Sequence, residues 1–199
     1  MCQKKCLKYV FLILLVSSAP SMAAGYFDDN KTQEPPGTDA DITFAQQLWT
    51  SMEEAKLVGS NATDLKPFLG AAPPHGWILE LASQPLLMSN HNGFLVVKKN
   101  YNGDDLTVED VAQDRKKYLK SYTVMYQRKA GYDEDNKNWF WAKYQTSGAL
   151  FRAKMKGEEV KLAGRLVKGK TRNRNTACLY CHSSAGGGDY IFYPNIELP

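Results

Sequence analysis

No apolar run in this chain is long enough to cross a membrane. The longest candidate, Tyr9 to Val16, is roughly eight to ten residues, against the roughly twenty a spanning helix needs, and Ser17, Ser18 and Pro20 break it. An excess of charge is also lacking. All 21 acidic residues lie beyond residue 24, and three of the 25 basic ones, Lys4, Lys5 and Lys8, lie before it. The chain from residue 25 onward therefore holds 22 basic and 21 acidic residues, a net +1 with histidine neutral. With no basic helix and no zinc-finger spacing, a nucleic-acid partner is excluded. Cysteine is equally sparse: of four, Cys2 and Cys6 fall in the first segment, leaving one pair near the C-terminus.

The first 24 residues read as a secretory signal. Three lysines form a positive n-region, the short apolar run follows, and Ser21-Met22-Ala23 supplies small residues for cleavage. Cys2 and Cys6 flank the charged region rather than following the apolar core, so no lipoprotein is expected. Export to the periplasm is, with no membrane span in the mature chain. What remains, about 175 residues, suffices for one domain with a real core.

The remaining cysteines lie in Cys178-Leu179-Tyr180-Cys181-His182. A Cys-x-x-Cys-His run has the donors that covalent haem attachment requires: two thiols for the vinyl groups on one porphyrin edge and an imidazole for the iron. A bare Cys-x-x-Cys also builds zinc knuckles, redox pairs and structural disulfides. Zinc would have to recruit His75 or His91 from distant sequence. A thioredoxin-like pair belongs in a βαβ pattern, whereas this one sits among basic and glycine-rich loops. The chain thus reads as a mono-haem c-type cytochrome with Cys178 and Cys181 as thioether attachments and His182 as proximal ligand. Its one covalent haem c is the only cofactor expected.

Residues 25–40 are polar, with a Pro35-Pro36 pair, and read as a flexible arm. The haem-binding domain is expected over 41–199. It begins with an amphipathic helix over 41–56, with apolar positions at 42, 45, 48, 49 and 52 and Asp41 as N-cap; Trp49 and Met52 are core residues there. After a turn at Pro73-Pro74-His75-Gly76, strand character recurs in Trp77 to Leu81, Gly93 to Lys98, Ser121 to Arg128, Trp139 to Tyr144 and Ala149 to Ala153. Thr107 to Leu119 reads as either a short helix or a connection. Alternation places Tyr122, Val124 and Tyr126 opposite Thr123 and Met125, and Trp139 and Trp141 opposite Phe140 and Ala142. Each aromatic row suits either a flat porphyrin or an ordinary core. The fold class expected is α+β, predominantly antiparallel β-sheet with a few helices.

Gly131-Tyr132-Asp133, Asn138-Trp139-Phe140-Trp141-Ala142-Lys143-Tyr144, Ala163-Gly164-Arg165, the Cys-x-x-Cys-His run and Asp189-Tyr190-Ile191-Phe192 together resemble the cytochrome P-460 family, whose fold the cytochromes c′-beta share. The resemblance covers about 76–199. It implies a β-rich fold, usually dimeric, with one haem c held against the sheet. It further implies either oxidation of hydroxylamine by a lysine-cross-linked haem or, in the c′-beta relatives, binding of small gases such as nitric oxide. The cross-linking position falls near Pro85 or Leu86, where no lysine stands; Lys98 and Lys99 are the nearest. The distal carboxylate falls near Thr123, which is not acidic.

The sixth iron position separates an electron carrier from a gas binder. Its candidates are His75, His91, Met88 and Met125. Met125 is the one best placed by the resemblance, and His91 reads as a solvent-facing turn residue. A five-coordinate or weakly six-coordinate iron is the expectation. Arg165, Arg172 and Arg174 precede the motif, and one or two of them, Arg165 and Arg174 foremost, are candidates to pair with haem propionates; solvated loop charges are the alternative. Gly186-Gly187-Gly188 reads as a tight turn. Three function classes follow: an electron-transfer or nitrogen-oxide/gas-binding cytochrome with a soluble redox partner, an oxidoreductase acting on hydroxylamine or a related nitrogen compound, and a zinc- or disulfide-stabilised module without haem.

Overall fold

The computed structural model describes residues 36–70, 75–155, 157–165, 178–183, 185 and 191. The signal segment, the arm up to residue 35, Pro73-Pro74, Arg172, Arg174 and the Gly186–Gly188 turn lie outside the described residues.

Thr38 rather than Asp41 caps the first helix, α1 (Asp39–Glu54). The Asp41 N–H donates to the Thr38 hydroxyl oxygen at 3.1 Å, and that hydroxyl donates to the Asp41 carboxylate at 2.9 Å. A threonine with a carboxylate three residues on satisfies exposed N–H groups at the helix start, so the helix takes in two residues assigned to the arm. Its buried stripe, Ala45, Leu48, Trp49 and Met52, follows the helical spacing.

A six-stranded antiparallel sheet follows, in the order β1-β2-β3-β4-β5-β8. Its strands are β1 (Phe68–Leu69), β2 (Ile78–Met88), β3 (His91–Tyr101), β4 (Leu119–Gln127), β5 (Trp139–Tyr144) and β8 (Ala163–Gly164). Between β3 and β4 lie two short helices, α2 (Val108–Gln113) and α3 (Arg115–Tyr118), and between β5 and β8 a separate hairpin of β6 (Arg152–Met155) and β7 (Glu158–Lys161). The fold is α+β and mostly antiparallel. The expected strand at Ala149 to Ala153 is displaced: Leu150 makes a single bridge to Tyr144, and β6 starts at Arg152.

β2 runs seven residues past the expected end at Leu81, through Pro85. Proline is tolerated because β1 pairs only with Ile78 and Leu79, which leaves the rest of β2 as a sheet edge needing no outward N–H. At the far edge, Gly164 has φ +105°, and a Cβ there would lie 2.4 Å from the Asp41 carboxylate. Glycine is what lets β8 run against the start of α1.

The sheet has two dissimilar faces. Tyr122, Val124, Tyr126, Phe140 and Tyr144 pack with α1. Phe44 meets the Phe140 ring at 4.7 Å, Trp49 meets Tyr144 at 5.1 Å, and the Tyr144 hydroxyl donates to the Ala45 carbonyl at 2.8 Å. The tyrosine row is therefore helix-side core. The opposite face gathers Val96, Met125, Trp139 and Trp141.

At one end of the helix-side face three charges are drawn together. Glu80, fully buried, accepts from Lys99 Nζ at 3.0 Å, from Arg115 Nε at 2.6 Å and from the Tyr101 hydroxyl at 3.0 Å. Burial first, and then the Glu80 charge, push the Tyr101 phenol well above its ordinary range. Removing one partner of such a pair strands the other in a medium that solvates it poorly. Glu80→Ala should therefore cost about 3–5 kcal/mol in urea unfolding, while Leu69→Ala, at an exposed position, should stay within about 0.5 kcal/mol; equal effects would show that the cluster does not hold the sheet end.

Candidate functional site

The pentapeptide forms a short helix, α4 (Cys178–His182). Residues three and four apart share a helix side, so Cys178, Cys181 and His182 are presented together. Leu179 is buried in the cluster with Val96, Met125, Trp139 and Trp141, and Cys178 packs against it. The two cysteines are not joined to each other by a disulfide; Cys181 is exposed and Cys178 partly buried. His182 is buried, its ring 4.9 Å from the Trp141 ring at 66°. The tryptophan row thus belongs to the motif's side of the sheet.

His75 comes to the same place from the bend that precedes β2. Its ring lies 6.2 Å from that of His182 at 79°, and its Nδ1 is 3.1 Å from the Thr123 hydroxyl. Asn100 Nδ2 donates to the Thr123 hydroxyl at 3.4 Å and to the Ser121 carbonyl at 3.2 Å, while Asn100 Oδ1 accepts from the Gly76 N–H at 3.3 Å. Burial, then the Lys98 and His182 charges, lower His75 to about 3. Asn100 and Thr123 are therefore its structural supports.

Lys98 and Lys143 also lie on this face. Burial pushes the Lys98 ammonium down to about 8, opposed by its electrostatic neighbour Cys178. Lys143 is lowered for the same reason and extends over the Phe151 ring at 5.0 Å. Sequence reading undervalued both. The signal was available in the alternation, since Lys98 follows Phe94 and Val96, and Lys143 follows Trp139 and Trp141, at spacing two on otherwise apolar rows. Lys99, one residue on, points to the other face and pairs with Glu80.

The other expected residues are distributed as follows. Met125 is buried among Trp139, Trp141 and Leu179. Met88 packs in the helix-side core. His91 is not a solvent-facing turn residue: it opens β3, its Nε2 lies 2.9 Å from the Gln127 carbonyl, and its ring meets Tyr126 edge-on at 6.1 Å. Arg165 is brought to Tyr132, with its Nη2 donating to that residue's carbonyl and its guanidinium over the ring at 4.8 Å. Since Tyr132 packs against the helix-side core, Arg165 is engaged away from the tryptophan row. Arg174 lies outside the described residues.

Two adjacent thiols and an imidazole on one helical turn, backed by a flat aromatic and aliphatic face, fit a covalently attached porphyrin. Among the described residues no group of three His, Cys, Asp or Glu side chains is arranged to hold a metal ion. Compared with known proteins, the sequence matches no family model, no curated protein and no solved structure. Among the described residues no helix is long and apolar enough to cross a membrane.

Burial pushes the Cys178 thiol from 9.0 up to about 11, against the lowering pull of Lys143. The thiolate is the nucleophile, so in haem-free protein at neutral pH iodoacetamide should modify Cys178 about 100-fold more slowly than an ordinary thiol, with exposed Cys181 reacting first. Peptide mapping by mass spectrometry reads the order, and equal rates would contradict the placement of Cys178.

Proposed function

We propose that the chain is an exported mono-haem c-type cytochrome of P-460-like type, matured in the periplasm, that works in electron transfer or in binding small nitrogen oxides. The observation that carries this is the placement of Cys178, Cys181 and His182 on one turn against the Val96, Met125 and Trp141 face. Each thiol would add across one vinyl group, forming one S–C bond and leaving its hydrogen on the neighbouring carbon, with no oxidant consumed. His182 would hold the iron, and Trp141 at its ring would fix the imidazole's orientation. Haem, once bound, supplies a one-electron centre or a site for a diatomic ligand. A soluble redox partner or a small nitrogen compound would be the counterpart, and a homodimer is the assembly implied by the resemblance.

One observation favours a second reading, an oxidoreductase acting on hydroxylamine or a related nitrogen compound. Lys98 stands on the motif's face with Cys178 among its electrostatic neighbours, whereas Pro85 is exposed and Leu86 lies in the opposite core. Lys98, one of the two lysines nearest to the expected position, is thus the one on the motif's face.

Expression of the full chain with a haem-c maturation system should yield a pyridine haemochrome of haem c and a mass increased by one haem. Colourless protein of unmodified mass would overturn the proposal. Cys178→Ser should leave a single thioether, with its haemochrome band moved to the red, and His182→Ala should abolish the native ligand field. A peptide linking Lys98 to porphyrin, together with the red-displaced ferrous band that names the family, would move the assignment to the second reading.

A further inference from the structure

The sheet sorts the side chains able to face the iron opposite His182. Met88 and His91 lie on its helix side, against the core and Tyr126 respectively. Met125 is enclosed by the tryptophan row and Leu179. His75 brings its ring to 6.2 Å from the His182 ring.

Given the haem reading above, on which this rests, we infer that His75 is the second axial ligand, so that the iron is held between two imidazoles and the protein is an electron carrier. An imidazole nitrogen sits about 1.1 Å from its ring centroid and about 2.0 Å from a bound metal ion. Two rings on opposite sides of one ion therefore have centroids about 6.2 Å apart, and the rings of His75 and His182 are separated by 6.2 Å. Each ring plane in such a pair contains the common axis, so any angle between the planes is allowed, and 79° is close to the perpendicular arrangement.

The support around His75 is that of a metal ligand. A ligating histidine commonly has its second nitrogen fixed by a hydrogen bond, which sets ring orientation and tautomer. Here Thr123 holds Nδ1, leaving Nε2 to coordinate. Asn100 braces both the Thr123 hydroxyl and the backbone N–H of Gly76, the residue that follows His75. A Cβ at Gly76 would lie 2.4 Å from the Tyr101 carbonyl oxygen, so only glycine lets the chain pass close enough to the sheet to deliver His75. Thr123 and Asn100 are positioning residues in this arrangement.

The test is spectroscopic and begins with the wild-type holoprotein. Ferric iron should be low-spin, with the near-infrared magnetic circular dichroism and electron paramagnetic resonance signatures of two imidazoles, and the ferrous form should resist carbon monoxide. His75→Gly should become high-spin and bind carbon monoxide, and added imidazole should restore the low-spin spectrum. Met88→Leu, on the helix side of the sheet, should leave the wild-type spectrum unchanged, while Thr123→Val should keep the iron low-spin and displace its midpoint potential. Haem attached with high-spin iron, a histidine–methionine or histidine–amine signature, or a His75→Gly spectrum identical to wild type would overturn the inference while leaving covalent haem intact. Failure of wild type and variants alike to acquire haem would overturn the reading beneath it.

Discussion

The pairing register of β3, β4 and β5 is the constraint from which the other features follow. Val96 opposes Met125, and Met125 opposes Trp141; one step along, Val97 opposes Val124, and Val124 opposes Ala142. Because neighbouring residues point to opposite faces, these two rows feed two different cores, and a slip of one residue would exchange them. The tyrosines would then meet α4, and the tryptophans would meet α1. Packing of Phe44 and Trp49 against the tyrosine row therefore helps decide which face is left for the Cys-x-x-Cys-His turn.

That division orders the chemistry as well. On the motif's side the face is graded, with Phe94, Val96, Met125 and the tryptophans toward one end and Lys98, Asn100, Ser121 and Thr123 toward the other. Apolar contact suits a porphyrin plane, and the hydrogen-bonding groups fix the orientation of an imidazole. The helix-side face is core over most of its length and ends at the buried Glu80 and Lys99, which the half-buried Arg115 of α3 joins. One sheet thus carries a stabilising face and a face whose composition suits a cofactor.

What was legible in the sequence was periodic or local. Alternation fixed the facing of Tyr122, Met125 and Trp141, and the strand Trp139–Tyr144 agrees end for end. The helical stripe from Ala45 to Met52 was plain from its spacing, although its start depended on the Thr38 hydroxyl, which competed with Asp41 for the cap. What depends on pairing between distant strands was not legible. The ion pairs of Glu80 join residues 19 and 35 positions away, and His75 reaches Thr123 across 48 residues. Lys98 lay within reach of the alternation argument, since it continues the row of Phe94 and Val96 at spacing two. Arg165 shows the converse: nearness in sequence to the motif suggested a propionate partner, yet its guanidinium stacks on Tyr132.

The charge cluster also bears on how freely the loop ahead of His75 can change. Lys99 donates to the Thr63 carbonyl at 2.6 Å and Arg115 to the Leu65 carbonyl at 3.1 Å, while the Asp64 carboxylate, largely exposed, adds only a longer contact of 3.4 Å. The segment is thus fastened mainly through main-chain oxygens, which every amino acid possesses. Its side chains are released from the duty of anchoring, and substitutions can accumulate there while the chain leading to β1 keeps its path. Sequence drift between Thr63 and Leu65 is consequently compatible with an unchanged fold, whereas Lys99 and Arg115, remote in sequence, carry the restriction in its place.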